Sequence, residues 1–357
     1  MKSSVRYGLL VLNVVVALCL SGCWDVRDIN DRTPALAMGM DYSRQSGWTL
    51  SLAEVILPPN GSAQYSGNMQ VGEGPDLTDA VENLRSHLSR RLYLGSAKVY
   101  VFGSGVLHEG RVREALHALF LHNEVNPTGY ALAATGTAQA LLSHPDGAVK
   151  VMAVRLQNEF ETQEAMRDGH LNMPLWEAFR RSMAPDSALY LPIFAVVPKT
   201  GAESSGTVVF HSDGRPALHL DRQESIALRW LLGIPGRSVL KLNDGTALKT
   251  TWTSVKTQFI AKDRNNLQIT IHAQAEAYSV PSPIIDSRTL SQLNQQAADA
   301  LVERARRLVS KLTAANTDVC EWHEAARRAG LTTFDLRTVQ VVVVSHVQTV
   351  PRVAPTL

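Results

Sequence analysis

The most constraining feature of the sequence is a twelve-residue stretch, 267–278, in which apolar and polar side chains alternate without a break. The apolar members are Leu267, Ile269, Ile271, Ala273, Ala275 and Ala277. Successive side chains of a strand point to opposite faces, so the pattern predicts a strand with one packed and one wet face. One-sided burial of this kind is typical of antiparallel sheets. The apolar run 248–260 before it, with turn residues at 262–266, predicts a hairpin partner.

The rest of the C-terminal half supplies a helix and a closing strand for that sheet. Apolar residues recur at helical spacing from Ser287 to Leu312, which predicts a long amphipathic helix lying across the sheet. A short helix is expected over 319–329. The last strand, 339–350, contains the run Val341 to Val344, which is apolar on both faces and therefore predicts a position in the middle of the sheet.

The first half mixes short strands with helices. Strands are expected at 35–41, 48–57, 98–102 and 128–134, and helices at 111–121, 137–142 and 175–183. A further helix follows Asp76, a residue suited to cap it. Four glycines and little apolar content between Asn60 and Pro75 predict an exposed loop. The predicted class is α+β, with several domains, mostly antiparallel sheets and packed helices, and a C-terminal antiparallel sheet crossed by the long helix.

The composition of the chain shifts near residue 200, where a Gly/Ser-rich stretch predicts a linker. A chain of 357 residues is longer than a single hydrophobic core usually supports, so more than one domain is expected. The predicted organisation is a signal peptide (1–22), a tether (23–34), an N-terminal α/β region (35–197) with a further division near 135, a linker (198–206) and a C-terminal α+β domain (207–357).

The N-terminus has the pattern of a lipoprotein signal. Lys2 and Arg6 precede an uncharged run of about 14 residues, and small residues then lead to a cysteine in the order Leu20-Ser21-Gly22-Cys23. This lipobox predicts cleavage between Gly22 and Cys23 and a diacylglyceryl group on the thiol of Cys23, giving lasting attachment to a membrane. The alternatives are a permanent transmembrane anchor, for which the run is short, and an ordinary secreted protein, which would not need the cysteine.

Charge and cysteine content exclude several classes of protein. Removal of residues 1–22 leaves 33 basic and 33 acidic residues, so nothing favours binding to nucleic acid. Cys19 leaves with the signal and Cys23 carries lipid, so Cys320 is single and no intramolecular disulfide is expected. We interpret Cys320 as a small packing residue.

Motifs of catalysis and metal binding are missing. His323-Glu324 begins like a zinc-protease helix, but Arg327 stands where the second histidine is needed. The sequence contains no phosphate-binding Gly-rich loop and no Gly-x-Ser-x-Gly elbow. The acidic residues Glu159, Glu161, Glu164 and Asp168 are interpreted as a solvated helix face. We therefore predict no enzymatic activity, no catalytic residue, no metal site and no cofactor.

One basic motif is a candidate for binding a partner protein. Arg90 and Arg91 precede Tyr93, an arrangement suited to an anionic protein surface. The plainer interpretation is that the two arginines follow a helix and oppose its dipole.

Several blocks in order along the chain resemble the Ger(x)C, or GerAC-like, lipoproteins, which are the C subunits of spore germinant receptors. The blocks are Cys23-Trp24-Asp25-Val26-Arg27-Asp28-Ile29-Asn30-Asp31, Gly39-Met40-Asp41, Arg90-Arg91-Leu92-Tyr93-Leu94-Gly95-Ser96-Ala97-Lys98-Val99, Ser205-Gly206-Thr207-Val208-Val209-Phe210, and Glu224-Ser225 with Leu228-Arg229-Trp230-Leu231-Leu232-Gly233. After about Thr313 the chain departs from the family, which usually has a longer and more aromatic segment there.

The resemblance implies a three-domain, non-enzymatic subunit, lipid-tethered at the outer face of the spore's inner membrane. It implies an A subunit and a polytopic B subunit as partners in sensing nutrients and starting germination. Only the lipidation of Cys23 carries over residue by residue, because the family has no assigned catalytic residues. The alternatives that remain are a solute-binding lipoprotein that captures a small nutrient, and a cell-surface hydrolase.

Overall fold

The computed structural model describes most of the chain after residue 30, and its elements alternate between strands and helices. The described residues are 31–56, 64–121, 124–144, 151–166, 171–198, 201–234, 238–242, 245–259, 266–279, 287–331, 334–337 and 340–350. The strands in these residues are β1 (Arg32–Ser43), β2 (Gly47–Ile56), β3 (Gln64–Gly74), β4 (Arg91–Tyr93), β5 (Val99–Phe102), β6 (Tyr130–Ala134), β7 (Tyr190–Val197), β8 (Gly201–Phe210), β9 (Pro216–Leu220), β10 (Ser238–Lys241), β11 (Ala247–Phe259), β12 (Asn266–Ser279) and β13 (Gln340–Val350). The helices are α1 (Leu77–His87), α2 (Ser104–His108), α3 (Val112–Leu121), α4 (Ala138–Ser143), α5 (Met152–Met166), α6 (Leu175–Met183), α7 (Arg222–Leu231), α8 (Ser287–Ala314) and α9 (Trp322–Arg328).

The strands form two sheets, and the predicted α+β class is confirmed. The larger sheet has the order β3-β2-β1-β5-β6-β7-β8-β9, with β4 added beside β1. Its centre, from β1 through β5 and β6 to β7, is parallel, whereas the pairs on both flanks are antiparallel. The parallel centre follows from the helices between these strands, which return the chain to the same end of the sheet.

The centre of the larger sheet is buried on both faces. On β5, Tyr100 and Phe102 belong to one apolar cluster, whereas Val99 and Val101 belong to another on the opposite face. Residues of α1, α3 and α6 contribute to the first cluster, and residues of α4 and α5 contribute to the second. Burial on both sides explains why β5 is a continuous apolar run without alternation.

The prediction of an exposed loop between Asn60 and Pro75 is wrong for residues 64–74. Residues 64–74 form β3, which pairs antiparallel with β2. Close packing requires glycine at position 72, because a Cβ atom on Gly72 would clash with the backbone of Leu84 in α1. Glycine in a strand can mark a close approach of another backbone as well as a turn. Residues 57–63 lie outside the described part of the chain.

The linker predicted over 198–206 is also not what the structure contains. Residues 201–206 are the first half of β8, which pairs antiparallel with β7 from Val197↔Gly201 onward. Gly206 has a φ of +139°, and a side chain there would clash with the carbonyl oxygen of Leu220 in β9. The larger sheet therefore continues through the predicted boundary, and the glycine at 206 allows β8 to lie close to the backbone of β9.

The second sheet has the order β10-β11-β12-β13 and carries the long helix. The predicted hairpin of β11 and β12 is confirmed, with Val255 opposite Ile271. The predicted helix begins at Ser287, as expected, and extends to Ala314. The central position predicted for the last strand is wrong, because β13 lies at the edge of the sheet and pairs parallel with β12. A connection that contains α8 and α9 returns the chain to the starting end of β12, which produces parallel pairing.

Other helices of the sequence prediction are confirmed, and some short strands were missed. Asp76 caps α1 by accepting a hydrogen bond from the Asp79 amide at 2.9 Å. Helix α6 has the predicted bounds of 175–183. Glu161 is exposed on α5, while the side chain of Glu164 and all of Asp168 lie outside the described residues. The strands β4, β9 and β10 were not predicted, because three to five residues are too few to show a period.

Candidate functional site

The surface that best qualifies as a candidate site lies where the N-terminal segment enters the body. Strand β4 pairs parallel with the first residues of β1, so that Arg91 is opposite Arg32 and Tyr93 is opposite Pro34. The guanidinium carbon of Arg32 lies 4.6 Å from the ring centroid of Tyr93. The same guanidinium is 3.8 Å from a carboxylate oxygen of Glu124. The motif therefore sits directly beside the point where the body begins.

The apolar and glycine residues of the Arg-Arg-Leu-Tyr-Leu-Gly motif contribute to packing. Leu92 and Leu94 are buried in the main core. A Cβ atom on Gly95 would meet the ring of Tyr93, so the ring packs where only glycine leaves room. Ser96 donates a hydrogen bond to the carbonyl oxygen of Ala35 at 2.8 Å, which fixes the segment to β1.

The fold does not account for the side chains of the two arginines in the motif. Arg90 and Arg91 are both exposed, and among the described residues neither guanidinium has a carboxylate within ion-pair distance. The backbone of both residues does take part in the fold: the carbonyl oxygen of Arg90 accepts a hydrogen bond from the Thr33 hydroxyl at 3.4 Å, and Arg91 pairs with Arg32 in the sheet. Helix α1 ends at His87, so Arg91 belongs to a strand and not to a helix terminus. Within the described residues, these two positive charges are not neutralised by an ion pair.

Gly22 and Cys23, the predicted cleavage and lipidation residues, lie outside the described residues. Covalent geometry nevertheless bounds where Cys23 can be. Arg32 is nine positions after Cys23, and an extended chain of nine residue steps spans about 30 Å at most. The distance from Cys23 to the Arg90–Tyr93 surface is thus at most about 30 Å plus the spacing between two paired strands.

The Gly39-Met40-Asp41 motif is structural. The carboxylate of Asp41 accepts hydrogen bonds from the amides of Ala138, at 2.7 Å, and Gln139, at 3.0 Å, in the first turn of α4. Thr137 completes the cap by accepting from Ala140. Burial raises the pKa of Asp41, against the two backbone hydrogen bonds, which lower it. The motif therefore joins the end of β1 to the start of α4.

The blocks around Gly206 and Glu224 are also structural. The hydroxyls of Thr207 and Ser225 lie 2.9 Å apart and connect β8 to α7. Asp221 and Glu224 form a reciprocal capping box at the start of α7. The packing of α7 on the larger sheet thus accounts for these residues.

A buried cluster of charges joins the two halves of the chain, and sequence reasoning missed it. Arg181 on α6 is 7% exposed and pairs with Glu177 at 2.7 Å. Its guanidinium also donates to the carbonyl oxygen of Val319 at 2.9 Å, and it lies 3.5 Å from Glu321. Although burial works to raise it, the pKa of Glu177 is held below its usual value by hydrogen bonds from Arg180 and by the charge of Arg181. The spacing of Glu177 and Arg181 was visible in the sequence, but their partner near residue 320 was not.

The residues considered for metal or thiol chemistry have local structural contacts. Asp318 accepts hydrogen bonds from the amides of Trp322 and His323 and from His323 Nδ1, the last at 2.7 Å. The hydrogen bond to Asp318 raises the pKa of His323, although burial opposes it. Burial raises the pKa of the Cys320 thiol, which disfavours the nucleophilic thiolate. Within the described ranges, no cluster of three or more His, Cys, Asp or Glu residues fits a metal ion. The same ranges contain no helix both long and apolar enough to cross a bilayer.

Comparison with known proteins identifies both halves of the chain. Residues 25–196 match the family model described as the spore germination protein N-terminal domain, and residues 205–337 match the one described as spore germination B3/GerAC like, C-terminal. The spore germination protein KC of Bacillus subtilis (strain 168) is 21% identical over 344 residues, which cover 85% of this chain and 83% of that protein. The spore germination protein YndF of the same organism is 22% identical and covers 70% of this chain and 69% of that protein.

A solved structure has the same fold. The crystal structure of the GerBC protein matches with a TM-score of 0.56 at 12% identity, covering 88% of this chain and 96% of that one. The two family models together span most of the sequence, and the gap between them, 197–204, overlaps the segment 198–206. The chain belongs to the GerAC-like family of spore germination proteins, the family of germinant receptor C subunits.

Proposed function

We propose that this protein is the lipid-anchored accessory C subunit of a nutrient germinant receptor, acting in spore germination through contacts with the A and B membrane subunits. The observation that carries the proposal is the match of both family models, in order, to residues 25–196 and 205–337. The proposed protein performs no catalysis. It is held at the outer face of the cytoplasmic membrane, which becomes the inner membrane of the spore.

The lipobox supports the proposed attachment. A diacylglyceryl group on Cys23 supplies two acyl chains, and two chains give stable anchoring where one gives only reversible binding. The short segment from Cys23 to Arg32 then keeps the body within about 30 Å of the bilayer surface. Confinement to this layer raises the local concentration of the subunit near integral partners, so that docking becomes almost intramolecular.

The position of Arg90 and Arg91 supports a role for them in that docking. They are exposed, they lack a carboxylate partner among the described residues, and they flank the strand that follows the tether. In our proposal these guanidinium groups, with Tyr93 beside them, contact an acidic surface of a membrane subunit. Arginine is suited to this because its planar group binds carboxylates in a bidentate way.

The buried cluster around Arg181 supports docking of the body as one unit. It connects α6 of the N-terminal half to residues 319–321 of the C-terminal half through a side chain that is almost fully buried. In the proposed receptor, a partner that binds the Arg90–Tyr93 surface therefore also positions the C-terminal sheet.

Replacement of Cys23 by alanine tests the proposed anchoring. The Cys23→Ala protein should appear in the soluble fraction of detergent-free extracts, and spores carrying it should germinate poorly with the nutrient of that receptor. The matched control is Cys320→Ala, which should remain in the membrane fraction because Cys320 is a packing residue. A Cys23→Ala protein that stayed fully in the membrane fraction would contradict lipid anchoring.

A further inference from the structure

A cavity of about 470 Å³ lies between helix α7, strand β10 and helix α8 in the C-terminal half of the chain. This volume is in the range of sites that bind small molecules. Part of the lining is apolar, because the buried side chains of Ala227 and Leu308 reach it from α7 and α8. Val239 of β10 adds an apolar side chain that is 42% exposed. The cavity therefore offers room and apolar surface to an organic molecule.

Three basic side chains line the same cavity. Lys241 belongs to β10, and Arg304 and Arg307 belong to α8. Buried and exposed residues alternate along β10, so Lys241 lies on the same exposed side of the strand as Val239. Arg304 and Arg307 are three positions apart and therefore lie on the same face of the helix. Positive charge thus reaches the cavity from two of its walls.

Two acidic side chains also line the cavity, and both have partners within the protein. Asp221 caps α7 by accepting a hydrogen bond from the Glu224 amide at 2.8 Å. Glu224 accepts a hydrogen bond from the Asp221 amide at 3.1 Å and forms an ion pair with Lys311 of α8. These two carboxylates therefore hold the start of α7 in place against α8.

Arg304 lacks an opposite charge as a direct partner. Its guanidinium donates to Oε1 of Gln223 and to the carbonyl oxygen of Lys241, both at 3.3 Å, and both acceptors are neutral. Among the residues that the structure describes, no carboxylate lies within ion-pair distance of Arg304 or of the Lys241 ammonium group. Burial lowers the pKa of Arg304, and the positive charge of Arg307 lowers it further. An anion in the cavity would oppose both effects.

We propose that this cavity binds a small organic carboxylate, with its carboxylate group between Arg304 and Lys241 and its hydrocarbon part against the apolar lining. A guanidinium group has five N–H donors, so Arg304 can bind a carboxylate and keep its two contacts with the protein. Three basic and two acidic side chains leave the lining with one positive charge. That charge matches a carboxylate monoanion better than a phosphate group, which carries about two negative charges.

Isothermal titration calorimetry of the full chain in mild detergent tests the proposal, with butyrate, hexanoate and benzoate as separate probes and detergent alone as the blank. We expect at least one of these acids to bind with a Kd of about 1 mM or tighter. The amide of that acid has the same hydrocarbon part without the charge, and it should bind about tenfold more weakly or not at all. Inorganic phosphate should also bind more weakly than the acid.

Substitutions in the cavity locate the binding. Arg304→Gln should weaken binding of the acid about tenfold or more, because it removes the charge-assisted hydrogen bonds. Circular dichroism checks that this variant is folded. Lys241→Gln, at an exposed position, should weaken binding as well and provides the test if Arg304→Gln is unfolded. The matched control is Arg288→Gln, at an exposed arginine of α8 outside the cavity lining, which should bind like the unsubstituted chain.

Four results would overturn the proposal. The first is that none of the three acids binds at concentrations up to about 10 mM. The second is equal binding of the acid and its amide, and the third is tighter binding of inorganic phosphate than of the acid. The fourth is an affinity that the folded Arg304→Gln variant, or Lys241→Gln in its place, leaves at the value of Arg288→Gln.

Discussion

The carboxylate of Asp41 accepts a hydrogen bond from the backbone N–H of Ala138 at 2.7 Å, across 97 residues of sequence. A second bond, from Gln139 at 3.0 Å, occupies its other oxygen. The first four N–H groups of a helix have no partner within the helix. In α4 Asp41 supplies partners for two of them, and the Gly39-Met40-Asp41 motif is thereby explained as a connection between β1 and α4.

Replacement of Asp41 by alanine should lower the free energy of unfolding by about 1–3 kcal/mol, because two N–H groups at the start of α4 lose their acceptor. Chemical denaturation measures this change. Asp79→Ala is the control, since the Asp79 side chain is exposed, and it should change stability by about 0.5 kcal/mol or less. Equal stability of the Asp41 variant and the native chain would contradict the capping role.

Replacement of Gly72 by alanine should destabilise the fold by about 1–3 kcal/mol through overpacking. A Cβ atom at this position would clash with the backbone N of Leu84 and the carbonyl oxygen of Ala80 in α1. Gly136→Ala is the matched control, because nothing lies within 4 Å of a Cβ atom there. Thermal unfolding of both variants distinguishes them. If Gly72→Ala unfolded at the same temperature as Gly136→Ala, the close contact of β3 with α1 would be wrong.

Replacement of Arg181 by methionine should lower the free energy of unfolding by about 3 kcal/mol, because Glu177 and the carbonyl oxygen of Val319 lose a buried donor. Arg307→Met is the control. Arg307 pairs with Glu303 on the surface, with 73% and 62% of the two side chains exposed, and such pairs contribute about 0–1 kcal/mol. Urea denaturation of both variants provides the comparison. A small and equal effect of the two substitutions would show that the Arg181 cluster does not hold the halves together.

Charge reversal at Arg90 and Arg91 should weaken association with the membrane subunits while leaving stability unchanged. Both side chains are exposed and without a carboxylate partner in the described residues, so their replacement by glutamate breaks no ion pair within those residues. The measurement is recovery of the A and B subunits with the tagged double variant. Arg113→Glu, at another exposed arginine, is the control and should retain both subunits. Full retention by the double variant would exclude this surface from docking.

Local patterns predicted the elements of this fold better than their arrangement. The alternation of 267–278 and the helical stripe from Ser287 determined β12 and α8, because both periods arise from the geometry of a single element. The position of β13 depends on the order of strands in space, which its own valines do not encode. The glycines before Pro75 were interpreted as a loop because the sequence does not reveal that α1 packs directly on β3.

The candidate site was also predicted only in part. The Arg90–Tyr93 motif was visible as a sequence block. The structure adds that β4, which contains most of this motif, pairs with the first residues of β1. The Arg181 cluster was not predictable, since Arg181 and Val319 are 138 residues apart and meet only in the folded chain. Its one local signal, the spacing of Glu177 and Arg181, is common on exposed helices.

Purification of the affinity-tagged chain from membranes solubilised in mild detergent tests the central claim most directly. The account predicts that one A subunit and one B subunit of the germinant receptor kind are recovered with the native chain, as identified by mass spectrometry. Recovery of the chain without any membrane protein of these two kinds, from membranes that contain both, would contradict its assignment as a receptor subunit.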